Sequence, residues 1–169
     1  MFRFGPGLFH TQALLEAHFS ELYGTLRRTP RASDWVARSQ VLLDELRALD
    51  ADVYCLQEVD HPQMLGEFFE DAGFGWHYLA RTGGDGNDGC FTAYRRDRFA
   101  LQGEPRELRF CDSGLRHNVC LILRLKPRFA AGPPVAVANT HILFNPKVNA
   151  EKMAWSTLQV KEISCYLSF

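Results

Sequence analysis

Residues 52–59 read DVYCLQEV, and the apolar run from Val53 to Leu56 predicts a strand that is buried on both faces. The strand ends in Gln57 and Glu58. A carboxylate at this position lies at the rim of a sheet, where α/β proteins place their ligands. A hard cation such as Mg²⁺ takes one or two protein carboxylates and keeps its other positions for water and phosphate oxygens. Glu58 is therefore a candidate metal ligand; the alternative is a surface glutamate that follows a core strand.

Helices flank this strand, and further strands follow it. Apolar residues at spacings of three and four predict a helix over residues 11–28 and a second one after Ser33, its N-cap. Pro62 begins a third helix, and Gly73 is placed to end it. The later strands are predicted at residues 76–80, 90–94, 99–108, 119–125 and 135–139. Helices first and strands afterwards indicate a layered α/β fold in one domain.

Composition and charge narrow the class of protein. The chain has 169 residues, 46% of them hydrophobic, and its 19 Lys and Arg against 20 Asp and Glu leave a net charge of -1. A protein that grips long duplexes by bulk charge is more basic, so any contact with nucleic acid is local. No apolar run approaches the roughly 20 residues that a membrane span needs. Five cysteines without a CxxC pair, and a poor signal peptide, predict an intracellular chain, in the cytoplasm rather than the nucleus.

Three other stretches could carry chemistry. Residues 135–141 read VAVANTH and present His141 at the end of a strand, where an imidazole could bond a phosphoryl oxygen; a satisfied structural histidine is the alternative. Asn118 opens a buried strand and could orient a catalytic neighbour through its amide. Residues 94–99 read YRRDRF, and their arginines either reach phosphates or form a solvated strand end.

These motifs occur in a specific order: LQEV, then DGC and YRRDRF, then NV, then NTH and NP. The succession resembles the endonuclease/exonuclease/phosphatase superfamily, and within it the branch that contains the Angel proteins, nocturnin and the carbon-catabolite-repressor deadenylases. The stretch NTHILFNPK at residues 139–147 looks most like Angel. The resemblance covers residues 13–147 and leaves two divergent segments, 1–12 and 148–169.

The resemblance implies a fold, a cofactor and site residues. The fold would be a two-sheet sandwich flanked by helices, with Mg²⁺, or Mn²⁺ in its place, at the sheet rims. Glu58 would be the metal ligand and His141 the catalytic residue at the scissile phosphate. Asn145 and Pro146 would line the pocket for the nucleotide base, and Asp88 would lie near the cleft. Asn118 joins these as a substrate-binding candidate.

The chain also departs from the family pattern. The family's first strand carries a metal-binding Asn in a Tyr-Asn-x-Leu context, whereas residues 5–12 contain no Asn. The Asp-x-Asn and Ser-Asp-His motifs that the family places after the histidine have no counterpart after His141. We therefore expect a chain truncated at both ends, a partial sandwich with the second sheet largely missing, and impaired catalysis.

Three functions are consistent with this pattern. The first is Mg²⁺-dependent phosphodiester hydrolysis at an RNA 3′ end, poly(A) or other single-stranded RNA, as in a deadenylase-like 3′–5′ exoribonuclease. The second, of Angel type, is a phosphatase acting on RNA 2′,3′-cyclic phosphate ends. The third is a non-catalytic fragment that binds RNA ends or another protein.

Overall fold

The computed structural model describes residues 4–8, 35–83, 88–141 and 163. The predicted helix at 11–28 and nearly all of 148–169 lie outside these ranges. In chain order the elements are β1 (Phe4–Leu8), α1 (Trp35–Leu49), β2 (Val53–Val59), α2 (Pro62–Asp71), β3 (Phe74–Ala80), β4 (Gly89–Arg95), β5 (Phe99–Leu101), β6 (Arg106–Arg109), a 3₁₀ helix (Phe110–Ser113), β7 (Val119–Pro127) and β8 (Val135–Thr140).

The first sheet has the strand order β1-β2-β4-β3, with β1 parallel to β2 and the other pairs antiparallel. The prediction that β2 is buried on both faces is confirmed. Tyr54 and Leu56 pack with the residues of α1 and α2, whereas Val53 packs with the second sheet. The segment 1–12, set apart by its sequence, contributes β1 to this sheet.

Aromatic side chains fill the layer between the first sheet and the helices. The ring of Phe69 lies within 6 Å of the rings of Tyr54, Phe74 and Phe91. The hydroxyl of Tyr54 donates to the Leu46 carbonyl at 2.8 Å, which joins β2 to the end of α1. A buried aromatic cluster of this kind holds the helices against one face of the first sheet. Because the second sheet covers the other face, β2 lies in the middle of the molecule, with its C-terminal end at the rim.

The second sheet is more complete than the sequence predicts, and the expectation that it is largely missing is wrong for the described residues. It has four strands: β7 pairs with β8 along one side and with β5 and β6 along the other. The segment 99–108, predicted as one strand, forms β5 and β6 because the chain turns at Gly103, where φ is +71°. Each half then pairs with a different part of β7.

The two sheets pack face to face, which confirms the predicted α/β sandwich. Their shared core is Val53, Leu79, Cys90, Tyr94, Phe99, Val119, Leu121, Leu123, Leu125 and Val137. The outer face of β6 and β7 carries a separate apolar cluster that includes Ile122 and is packed against Ile163. None of the helices in the described ranges has the length and apolarity that crossing a membrane requires.

The packing of α2 on β3 leaves no room for a side chain at Gly66. A Cβ there would lie 2.5 Å from Cζ2 of Trp76. The Trp76 ring is stacked on Phe91, and its Nε1 donates a hydrogen bond to the Glu70 carboxylate. We expect Gly66→Ala to lower the free energy of unfolding by about 1–2 kcal/mol, because overpacking against a ring fixed by two contacts costs about 2–3 kcal/mol, the upper part of the usual range. The net value allows for the roughly 1 kcal/mol by which alanine favours a helix over glycine.

Urea denaturation measures this change. The matched control is Glu67→Ala, at the exposed neighbouring position of the same helix, which should stay within about 0.5 kcal/mol of the unchanged chain. A Gly66→Ala chain as stable as the control would show that the Trp76 ring moves aside freely.

Candidate functional site

The structure brings Glu58 and His141 together at the rim between the two sheets. Glu58 lies near the end of β2 in the first sheet, and His141 follows β8 in the second. Nδ1 of His141 is 3.7 Å from Oε1 of Glu58, and the two side chains are 30% and 12% exposed. The site is therefore a partly buried carboxylate–imidazole pair contributed by one strand end from each sheet.

An irregularity in β2 sets the direction of Glu58. Leu56 pairs with Phe91 and Val59 with Gly89, so three steps along β2 match two steps along β4 and one residue is extra. Glu58 has φ = +56°, in the left-handed region. That conformation costs a non-glycine residue about 1–3 kcal/mol and persists only where the surroundings enforce it. Bulges of this type re-aim a side chain next to active sites.

Asn139, which the sequence analysis did not single out, reaches from β8 into the bulge. Its side chain is 1% exposed, and its Nδ2 lies 3.1 Å from the Leu56 carbonyl and 2.9 Å from the Phe91 carbonyl. Its Oδ1 accepts a hydrogen bond from Nε2 of Gln57 at 2.7 Å. The available signal was a polar side chain that interrupts the apolar pattern of VAVAN, two residues before His141.

Asn118 holds the backbone of His141. Its Nδ2 donates to the His141 carbonyl at 2.6 Å, and Thr140 Oγ1 donates to the Val119 carbonyl at 2.8 Å. These bonds tie the start of β7 to the end of β8. The contact is made with the backbone of His141, and both the orienting role and the substrate-binding role of Asn118 stay predictions.

Asp88 precedes β4 at the same end of the first sheet as Glu58, and its carboxylate is ion-paired. Its carboxylate accepts from Nη2 of Arg81 at 2.5 Å, and the side chain is buried. Nearby, the Tyr78 hydroxyl donates to the Val59 carbonyl at 3.1 Å. Burial raises the pKa of Tyr78 to about 12, and the Asp88 carboxylate adds to that rise. Tyr78 therefore stays protonated near neutral pH and supports the backbone beside Glu58.

The arginines of residues 94–99 lie at the other end of the sandwich. Arg95 lies beside the start of β2, away from Glu58. Its guanidinium forms ion pairs with Asp50 and Asp52, which precede that strand. Arg98 Nε is 3.7 Å from the same Asp52 carboxylate. The interpretation as a solvated strand end fits these contacts better than a phosphate site next to His141.

The remaining predicted site residues, Asn145 and Pro146, lie outside the described residues. Within the described part of the chain there is no group of three or more His, Cys, Asp or Glu side chains that could hold a metal ion. Mg²⁺ does not require such a cage, because it is commonly bound through one or two carboxylates, with waters and phosphate oxygens as its other ligands. The hard oxygen donors of Glu58 at an accessible rim fit that coordination.

Comparison with known proteins identifies the fold and the family. A family model described as the endonuclease/exonuclease/phosphatase family matches residues 18–156. The chain therefore belongs to the endonuclease/exonuclease/phosphatase family. Among solved structures, the crystal structure of ANGEL2, a 2′,3′-cyclic phosphatase, in complex with adenosine-2′,3′-vanadate aligns with a TM-score of 0.79 and 31% identity.

Two curated relatives support the Angel branch. Protein angel homolog 2 from Homo sapiens is 37% identical in an alignment of length 162 that covers 91% of this chain and 29% of that protein. Carbon catabolite repressor protein 4 homolog 6 from Arabidopsis thaliana is 35% identical in an alignment of length 149 that covers 79% of this chain and 19% of that protein. The chain thus spans less than a third of these relatives, and it covers 48% of the ANGEL2 structure against 96% of itself.

The left-handed conformation of Glu58 gives a testable stability signature. Both Glu58→Ala and Glu58→Gly delete the carboxylate, so the difference between them isolates the backbone. We expect the glycine variant to be more stable by about 1 kcal/mol, because glycine adopts positive φ without strain. The free energies of unfolding of the two variants, measured in urea, give this difference.

Glu107, exposed in the middle of β6, provides the control. There the order should be reversed, with Glu107→Gly less stable than Glu107→Ala by about 0.5–1 kcal/mol, as in any regular strand. Equal ordering at both positions would contradict a left-handed Glu58.

Proposed function

We propose that this chain forms part of a metal-dependent hydrolase that cleaves a phosphate ester at an RNA 3′ end, with a terminal 2′,3′-cyclic phosphate as substrate. The observation that carries the proposal is the Glu58–His141 pair, 3.7 Å apart, at the rim where the two sheets meet. Membership of the family and 31% identity to the ANGEL2 cyclic phosphatase structure support the reaction class. The net charge of -1 is consistent with local recognition of an end rather than binding along a duplex.

Glu58 would hold Mg²⁺, or Mn²⁺ in its place. When bound, such an ion polarises the phosphoryl oxygens and increases the acidity of a bound water. The aim of the carboxylate is set by the bulge, so the ligand is positioned before the ion arrives. A pre-positioned oxygen donor lowers the reorganisation that the transition state requires.

His141 would contact the phosphate that is cleaved. Its Nδ1 faces the Glu58 carboxylate, which leaves Nε2 as the ring nitrogen available to a phosphoryl oxygen. Asn118 fixes the backbone of this residue, so the imidazole is held from one sheet while the carboxylate is held from the other. The imidazole, together with the cation that Glu58 would hold, would stabilise negative charge that develops on the phosphoryl oxygens.

Deadenylation is the second candidate. It is favoured by the resemblance of Asn145 and Pro146 to the segment that lines a base pocket, and by the 35% identity to the carbon catabolite repressor homolog. A base pocket would recognise a terminal adenosine and lead to stepwise shortening. The two candidates differ in product. Hydrolysis of the cyclic phosphate consumes two waters, one that opens the ring to a monoester and one that cleaves the monoester and releases orthophosphate, whereas deadenylation consumes one water for each nucleotide released.

The test uses the 169-residue chain with two oligoribonucleotides, one ending in a 2′,3′-cyclic phosphate and one in a 3′-hydroxyl oligo(A). We expect slow Mg²⁺-dependent release of orthophosphate from the first, in line with the impaired catalysis expected from the sequence, and a further loss of about 100-fold or more in Glu58→Gln and in His141→Gln. Chelation of the metal should stop the reaction. Glu107→Gln, on an exposed position of β6, is the control and should keep the full rate.

The other outcomes separate the alternatives. Shortening of oligo(A) that depends on Glu58 would favour the deadenylase. Metal-dependent binding of the RNA end without turnover would favour the non-catalytic fragment. Orthophosphate release that survives Glu58→Gln would contradict the proposed site.

A further inference from the structure

A pair of side-chain amides, Gln57 and Asn139, lies directly behind Glu58. We propose that these two residues are positioning residues, which hold the β2 bulge and thereby aim the Glu58 carboxylate at His141. The effect on the metal and on catalysis rests on the function proposed above, whereas the effect on the conformation of Glu58 does not. Neither residue touches substrate in this role.

The hydrogen bonds define the orientation of both amides. Nε2 of Gln57 donates to the Cys55 carbonyl at 3.0 Å and to Oδ1 of Asn139 at 2.7 Å. Nδ2 of Asn139 lies 3.1 Å from the Leu56 carbonyl, 2.9 Å from the Phe91 carbonyl and 3.1 Å from Thr92 Oγ1. Exchanging oxygen and nitrogen in either amide would place an oxygen against backbone carbonyls, so only one orientation satisfies the network.

The bulge explains why donors are needed here. Leu56 and Phe91 are the last paired residues before the extra residue in β2. Past that point the regular ladder between β2 and β4 is interrupted, and further hydrogen bonds to the backbone at this place stabilise the bulge. Asn139 supplies the donor from the opposite sheet. The bulge is therefore stabilised by a contact between the sheets, in addition to the contacts within its own sheet.

The amides are also suited to the neighbourhood of a cation site because they are neutral. A carboxylate at residue 139 would add negative charge and present oxygens to the carbonyls of Leu56 and Phe91. An aliphatic side chain would fill the space but donate no hydrogen bond to those carbonyls. An amide satisfies them and leaves the charge at the rim to Glu58.

The experiment replaces each amide by an apolar side chain of similar size, Gln57→Met and Asn139→Leu. In the unliganded 169-residue chain, the backbone ¹³C and ¹⁵N chemical shifts of Glu58 should leave the left-handed pattern in both variants. Mn²⁺ titrated into the protein without RNA should bind at least tenfold more weakly. Where RNA is hydrolysed, the metal concentration for half-maximal rate should rise by the same factor.

A matched control separates positioning from general loss of stability. Leu125→Ala removes a buried side chain at the far end of the sandwich, where β7 pairs with β5 and with the start of β8. It should lower the melting temperature at least as much as Gln57→Met does. Its Glu58 shifts and its Mn²⁺ affinity should remain within twofold of the unchanged chain, because the bulge is intact.

The outcomes distinguish this proposal from the proposed function. If the chain hydrolyses no RNA, the chemical shifts of Glu58 still decide the positioning role. If Asn139→Leu fails to fold, Gln57→Met decides it, since the Gln57 side chain is only partly buried. Unchanged Glu58 shifts and unchanged Mn²⁺ affinity in Gln57→Met would overturn the inference, whatever the hydrolysis assay shows.

Discussion

The Asn139 side chain is the contact on which the site depends. It is buried between the sheets, and its Nδ2 lies within hydrogen-bonding distance of carbonyls on both β2 and β4. A polar group in this position is favourable only when its partners are in place, so it couples the packing of the second sheet to the backbone of the first. The geometry of Glu58 is consequently a property of the whole sandwich rather than of β2 alone.

Backbone strain at Glu58 is the counterpart of that contact. A left-handed glutamate is unfavourable in isolation, and the aromatic packing around Phe69 and the sandwich core provide the stability that offsets it. Strain of this kind is common where a side chain must project from a rim into a cleft. The same arrangement explains how a carboxylate can be only 12% exposed and still lie next to the imidazole of His141.

The two ends of the sandwich differ in the charged side chains that they carry. Arg95 and Arg98 are engaged by acidic side chains at the far end of the sandwich, and Arg81 is engaged by Asp88. The Glu58–His141 rim is thus separated from the paired arginines around Asp52. A site of this kind is suited to a cation and a phosphate that arrive together, because a cation can offset the negative charge that the phosphate brings.

The sandwich class followed from the family resemblance. Other features were predictable from short stretches of residues: β2 as a strand buried on both faces, a helix that begins at Pro62, and Glu58 and His141 as strand-end candidates. Each depends on local periodicity or on a motif within a few residues. The division of 99–108 into β5 and β6, the strand at Phe4–Leu8 and the Gln57–Asn139 pair depend on partners distant in sequence. Gln57 and Asn139 are 82 residues apart. Only the packing of one sheet on the other brings those amides together. A local pattern of residues cannot predict a contact between side chains that are so far apart in sequence.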